Sequence, residues 1–140
     1  MYKKKALKLW VDGGDIKKIP KQFLKDKSFM IKMLKIQGSM LQHAHKSLKK
    51  NKSLVLVAIK DTGSNLEFAD NSLKKNRSIV LEAVKRYGGA LQYANVSFRK
   101  DRTIVLVAVK AATGGGGVAL QFADKNLQND LELIKLADKD

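Results

Sequence analysis

Cations return in this chain at an interval of 25 residues. Lys25, Lys50, Lys75 and Lys100 share one phase, Lys27, Lys52, Arg77 and Arg102 a second, and Lys49, Lys74 and Arg99 a third. A further column, Lys35, Lys60, Lys85 and Lys110, closes each period. If residues of equal phase line up in space, the columns become ridges of positive charge. Such a ridge can hold a polyanion: nucleic acid, an acidic protein or an anionic membrane surface. Lys52 and its equivalents stand beside expected helix starts, where free N–H groups already favour an anion. Lys60 and its equivalents stand at helix ends, where a cation meets the negative end of the helix dipole and needs no ligand to explain it. The competing account is that the lysines are solvated surface. Lysine outnumbers arginine 24 to 4, whereas bidentate phosphate and base readout favours arginine. Duplication of a repeat also copies one surface lysine into a stripe.

Other chemistry finds less support. Phe68, Tyr93 and Phe122 share a phase with His43; bases could stack on such a ladder, but an aromatic at fixed phase is expected to pack between units. His43 and His45 point to different sides of a helix and no thiol or acidic cluster joins them, so no metal site is expected. The run Gly114–Gly117 lacks the Gly-Lys-Ser/Thr of a phosphate loop and reads as an insertion, after which Val118–Ala123 restores the repeat. The acids serve as caps (Asp101, Asp130) or outward charges (Glu82, Asp61), so no nucleophile–base pair and no cofactor is expected, and the chain is not read as an enzyme. Val57 and Val107 interrupt an otherwise polar outer face and are the candidate contacts for a protein partner.

The elements that must position these residues follow from the repeat itself. The phrase His45–Lys60 returns as Asp70–Lys85 and again as Asn95–Lys110. Leu48, Leu73 and Phe98 mark the period, Phe23 extends it backwards, and Leu127 follows after a step of 29. Asp26, Asn51, Asn76, Asp101 and Asp130 hold one phase and can cap a helix start. The segment after each, such as Leu54, Val55, Leu56, Ala58 and Ile59, is rich in β-branched residues. It lacks a period of two, however, and predicts a helix with a wide apolar face. Gly38, Gly63 and Gly88, with Gly13 in phase, fall where a helix C-cap belongs. A second piece is expected from Ser39 or Ser64, with Gln42 or Glu67 completing a capping box. Asp70, Asn95 and Asp124 suggest a break after Ala69 and its equivalents, leaving either one helix or two short ones.

A helix pair this short buries a core only by stacking on neighbours. The expected fold is therefore all-α: a short-repeat α-solenoid of about five 25-residue units, on the order of 50 Å long at about 10 Å per layer, with the superhelix hand open. The 140 residues are expected to form one repeat-array domain, with a cap at 1–18, units at 19–44, 45–69, 70–94 and 95–123, and a cap at 124–140. Trp10 is expected to close the N-terminal end. With 44% hydrophobic and 29% charged residues the chain is a folded protein, and with no cysteine it has neither disulfides nor thiolate metal sites. The apolar stretch after Lys3–Lys5 is broken by Lys8, too short for a signal-peptide core. The default expectation is a cytoplasmic protein, with export by a specialised secretion system left open.

The phrase Leu-x-x-Asp/Asn-Arg/Lys-x-Ile-Val-Leu-x-Ala-Val-Lys, followed by Gly-x-Ala-Leu-Gln-Tyr/Phe-Ala, resembles the tandem repeat known as domain of unknown function 4116. The resemblance is strongest over 45–110 and looser across 19–137, and the layout is similar to that of leucine-rich variant repeats. It implies a helical repeat architecture and brings no activity and no catalytic residues. The expected function is non-enzymatic recognition of a macromolecular partner along an extended surface, protein first. The alternative is polyanion binding, nucleic acid included, through the basic ridge.

Overall fold

The computed structural model describes residues 2–111 and 115–139; of the expected insertion Gly114–Gly117, Gly114 lies outside the described residues. Among the described residues the regular elements are helical, with no strand. Helix α1 (Lys3–Val11) ends in a Schellman turn. There the Gly13 N–H donates to Trp10 O (3.0 Å), the Gly14 N–H donates to Leu9 O (2.8 Å), and Gly13 sits at φ +82°. Trp10 packs half-buried against the core.

A three-part order then recurs. Helix α2 (Lys27–Ile36) is followed by a 3₁₀ segment at Gly38–His43 and the one-turn helix α3 (Lys46–Lys49). The same order gives α4 (Lys52–Asp61), 3₁₀ at Gly63–Phe68 and α5 (Asn71–Lys74), then α6 (Arg77–Arg86), 3₁₀ at Gly88–Tyr93 and α7 (Val96–Arg99). After α8 (Arg102–Val109), a short helix α9 (Gly116–Gln121) replaces the 3₁₀ segment, followed by α10 (Lys125–Gln128) and α11 (Leu131–Ala137). The second piece of each unit is thus two elements. The break occurs because His45, Asp70, Asn95 and Asp124 each leave the helical region and accept, through the side chain, the N–H two residues on, which starts a new turn.

The long helices begin where their caps predict. Asp26 accepts the Phe29 N–H, Asn51 that of Leu54, Asn76 that of Ile79, Asp101 those of Thr103 and Ile104, and Asp130 those of Glu132 and Leu133. Leu54, Val55, Ala58 and Ile59 and their equivalents Ile79, Val80, Ala83 and Val84 are buried, as are Ile104, Val105, Ala108 and Val109. α2 packs on α4, α4 on α6 and α6 on α8. A backbone bond also runs from each unit to the one before it. His45 N–H donates to Leu24 O (2.9 Å), Asp70 to Lys49 O (3.0 Å), Asn95 to Lys74 O (3.0 Å) and Asp124 to Arg99 O (2.9 Å).

Two local expectations are corrected. The capping boxes at Ser39/Gln42 and Ser64/Glu67 do not form: the 3₁₀ segments start after extended Gln37 and Thr62 with no side-chain cap. The serines bond sideways instead, Gln37 Nε2 donating to Ser39 Oγ (2.8 Å) and Ser64 Oγ lying 3.1 Å from Thr62 Oγ1. The Gly38 N–H is taken by Asp61 Oδ2 at 2.9 Å, from the helix of the following unit. Gly38, Gly63 and Gly88 also do not act as left-handed C-caps, since none has positive φ. They are glycine because the next long helix lies against them. A Cβ would fall 2.7 Å from Ala58 O at Gly38, 2.1 Å from Ala83 O at Gly63 and 2.3 Å from Ala108 O at Gly88.

Candidate functional site

The three basic columns meet three different fates. In the third, Lys49 Nζ donates to Gln42 O at 2.8 Å, Arg99 donates to Gln92 O, and Gln128 in the same phase donates to Gln121 O at 2.9 Å. These carbonyls end the preceding segment and have no intrahelical partner, so the column caps them. Lys74 is half-buried, and desolvation pushes its ammonium pKa down against the opposing charges of Glu67 and Asp70. Lys49 and Arg99 thus have partners within the repeat. Arg99 Nε is shut away from solvent with no hydrogen-bond partner.

In the second column the anion expected at each helix start is, in places, already present. Arg77 pairs with Asp101, and Arg102 Nε donates to Asp130 Oδ2 at 2.8 Å while its other nitrogen reaches Glu132. Lys3 of α1 reaches Asp26 in the same way. Asp26, Asp101 and Asp130 are each the cap of the helix that follows. The hydrogen bond from Arg77 is the main force holding the Asp101 carboxyl below the usual carboxylate range, and those from Lys3 and Arg102 do the same for Asp26 and Asp130. The expectation of an open anion site in every unit is corrected at these seams. Where the cap is asparagine the arrangement differs. Lys52 Nζ finds only the neutral Ser78 hydroxyl at 2.9 Å, which itself donates to Asn76 Oδ1 at 2.8 Å. Lys27, whose counterpart cap is Asn51, is exposed.

In the first column Lys25, Lys50, Lys75 and Lys100 are all exposed. Asp70 is held below its usual range mainly by the Ser72 backbone and hydroxyl bonds, with Lys50 and Lys74 adding charge. Lys35, Lys60, Lys85 and Lys110 are likewise exposed at the ends of the long helices.

Val57 and Val107 are half-buried and pack on the core, which corrects their reading as outward apolar residues. Val57 lines a shallow groove of about 360 Å³ with Leu34, Lys35, Lys60 and Asp61, between α2 and α4. Val96 is one of several apolar residues that do face solvent: it is 60% exposed, Leu131 73% and Val11 59%. Val96 lines a second groove of about 340 Å³ with Arg99, Lys100, Gln121, Phe122 and Gln128. The sequence carried a signal for it: its phase holds Lys46, Asn71 and Lys125 in other units. Phe68, Tyr93 and Phe122 are half-buried against the core rather than splayed as a platform. Burial raises the Tyr93 phenol pKa, with the Glu67 charge adding to it. His43 is exposed, and His45 Nδ1 accepts the Ser47 N–H at 3.3 Å as the cap of α3. Among the described residues no three His, Cys, Asp or Glu side chains gather as a metal site would need. No helix among them is long and apolar enough to cross a membrane.

No curated protein and no solved structure matches the chain. The sequence profile of a domain of unknown function, DUF4116, matches residues 26–74 and 76–111, which takes in α2 through α8 and both asparagine-capped seams. The repeat of caps, glycines and long helices described above is therefore carried by a chain that belongs to the DUF4116 family.

Proposed function

We propose that the units stack into a single α-solenoid of about five repeats and that this array is a non-enzymatic scaffold recognising a protein along its extended surface. The backbone bond passed from each unit to the one before, and the packing of each long helix on the next, support the stacking. The observation that carries the protein reading is the groove beneath Val96. An exposed apolar side chain stands there beside Phe122, rimmed by Arg99, Lys100 and Gln128. An apolar centre with a polar rim is the anatomy of a protein contact. Affinity capture from a nuclease-treated lysate with wild-type protein and with Val96→Asp tests it. Proteins held by the wild type and lost by V96D, at unchanged helicity, support the reading; an identical set on both refutes it.

A polyanion reading is favoured by one observation: Lys25, Lys50, Lys75 and Lys100 stay exposed at equal phase. Reversing Lys50, Lys75 and Lys100 to Glu should abolish retention on heparin and shifts of labelled DNA or RNA, with affinity in the wild type falling steeply with salt. Binding that survives the triple change refutes it.

A further inference from the structure

The seams differ in one respect that sets where positive charge remains unspent. At the phase shared by Lys27, Lys52, Arg77 and Arg102, the two arginines reach the cap of the following helix. Where that cap is aspartate, the cation is bound to it: Arg77 to Asp101 and Arg102 to Asp130, with Lys3 bound to Asp26 at the first seam. Where it is asparagine, the cap function is unchanged, since Asn51 and Asn76 still accept the N–H groups of Leu54 and Ile79 at 3.1 and 3.2 Å. The cation, however, meets no carboxylate. Lys27 makes no hydrogen bond or ion pair among the described residues, and Lys52 has a serine hydroxyl.

We propose that the edge formed by Lys27 and Lys52, at the starts of α2 and α4, docks an acidic segment of a partner protein. Its carboxylates take the place that Asp101 and Asp130 fill intramolecularly at Arg77 and Arg102. The chain itself shows that this position accepts an aspartate side chain, which favours carboxylates over phosphates. Adjacent long helices lie about 10 Å apart, and an extended chain covers that distance in about three residues. The fitting segment therefore carries an acid at about every third position. Lys25 and Lys50, exposed on the neighbouring turns, flank the same edge and add attraction, although Lys50 also acts on the Asp70 carboxylate.

The inference rests on the protein reading, and the test separates the two. Fluorescence anisotropy is read with a labelled twelve-residue peptide bearing glutamate at every third position, beside a single-stranded oligonucleotide of equal net charge. The decisive variant is Asn51→Asp with Asn76→Asp, which keeps every lysine and every cap but supplies the missing carboxylates from within. Asn126→Asp with Asn129→Asp, both exposed near the C-terminal end, is its charge-matched control, and thermal melting confirms that each is folded. Peptide binding by the wild type that weakens about tenfold in N51D/N76D relative to the control is expected, with Lys27→Gln and Lys52→Gln each weakening it less. Asp101→Asn, which releases Arg77, should strengthen it. Equal binding by N51D/N76D and the control overturns this site while leaving a protein partner intact. Tighter binding of the oligonucleotide, with the same dependence on N51D/N76D, overturns the acidic segment and the protein reading together in favour of a phosphate polymer. Absence of binding by both probes overturns the inference, and the Val96→Asp comparison then decides the protein reading alone.

Discussion

Replacing Gly63 with alanine sets two effects of opposite sign against each other. Gly63 has no positive φ, so alanine fits its backbone and should stabilise the fold by about 0.4–1 kcal/mol through the unfolded chain. Against this, the new Cβ would lie 2.1 Å from the Ala83 carbonyl oxygen and 3.0 Å from its carbon. Carbon and oxygen approach no closer than about 3.3 Å even in favourable C–H···O contacts, so the 3₁₀ segment and α6 must part by on the order of 1 Å. The obstacle is backbone and cannot swing aside as a side chain would. Leu66, Ala83 and Val84, all fully buried, would lose contacts across the opened seam. Overpacking of this kind costs about 1–3 kcal/mol and occasionally more, so the steric effect wins and G63A should be net destabilised by about 2 kcal/mol. With a urea m-value of about 2 kcal/mol/M, the midpoint falls by about 1 M. Gly117→Ala is the control: nothing lies within 4 Å of its Cβ, so in the first turn of α9 it should stabilise by a few tenths up to about 1 kcal/mol. Urea unfolding followed by circular dichroism reads both. If G63A proves as stable as the wild type, close approach to Ala83 is not what keeps glycine there.

Two further outcomes follow from single side chains. Asp101→Ala should lower stability by about 1 kcal/mol through loss of a cap, while Asp101→Asn, an equal cap, should stay within a few tenths at neutral pH in urea midpoints. The Asp101 carboxyl is depressed, first by the Arg77 hydrogen bond, so its stabilisation is complete above about pH 4, its ordinary unfolded value, and is lost as pH falls through the folded value. D101N should therefore show a flatter acid limb than the wild type, and identical limbs would sink the assignment. For Tyr93, whose burial raises its phenol, ultraviolet titration of the folded protein should show one tyrosine ionising above the ordinary value of about 10. Tyr93→Phe should remove that phase, and its persistence would assign it to another tyrosine.

What the sequence made legible was local or periodic. Asp26, Asn51, Asn76, Asp101 and Asp130 could be named as caps because the bond each makes spans three residues and depends on little else. Ser39 and Gln42 present an equally local pattern, yet no capping box forms, because Ser39 lies inside a 3₁₀ segment that already starts at Gly38 after extended Gln37. The Gly38 N–H at that start goes to Asp61 of another unit, a tertiary contact that leaves no trace within four residues. The basic columns were visible as phases, but phase says which residues align and not what they touch. Arg77 and Asp101 stand in phases of their own, and only setting the cation column beside the cap column of the following unit would have paired them. Val57 reads as an outward position on its own helix, and burial against the core and a groove shared with Leu34 and Lys35 of α2 are not visible in that pattern. Val96 was readable as the one apolar residue in a polar phase.

The backbone bond that ties each one-turn helix to the start of the next has a consequence for how such a chain can grow. The step from Phe98 to Leu127 is four residues longer than the 25 of the other units, and Asp124 still donates to Arg99 O at 2.9 Å. Length added in the sequence between α8 and α9 thus leaves the bond between units in place, whereas length added between α9 and α10 would fall next to its donor. The sequence between α8 and α9 is accordingly the place to splice a tag, a fluorophore-bearing peptide or a whole foreign domain without disturbing the register of the units on either side.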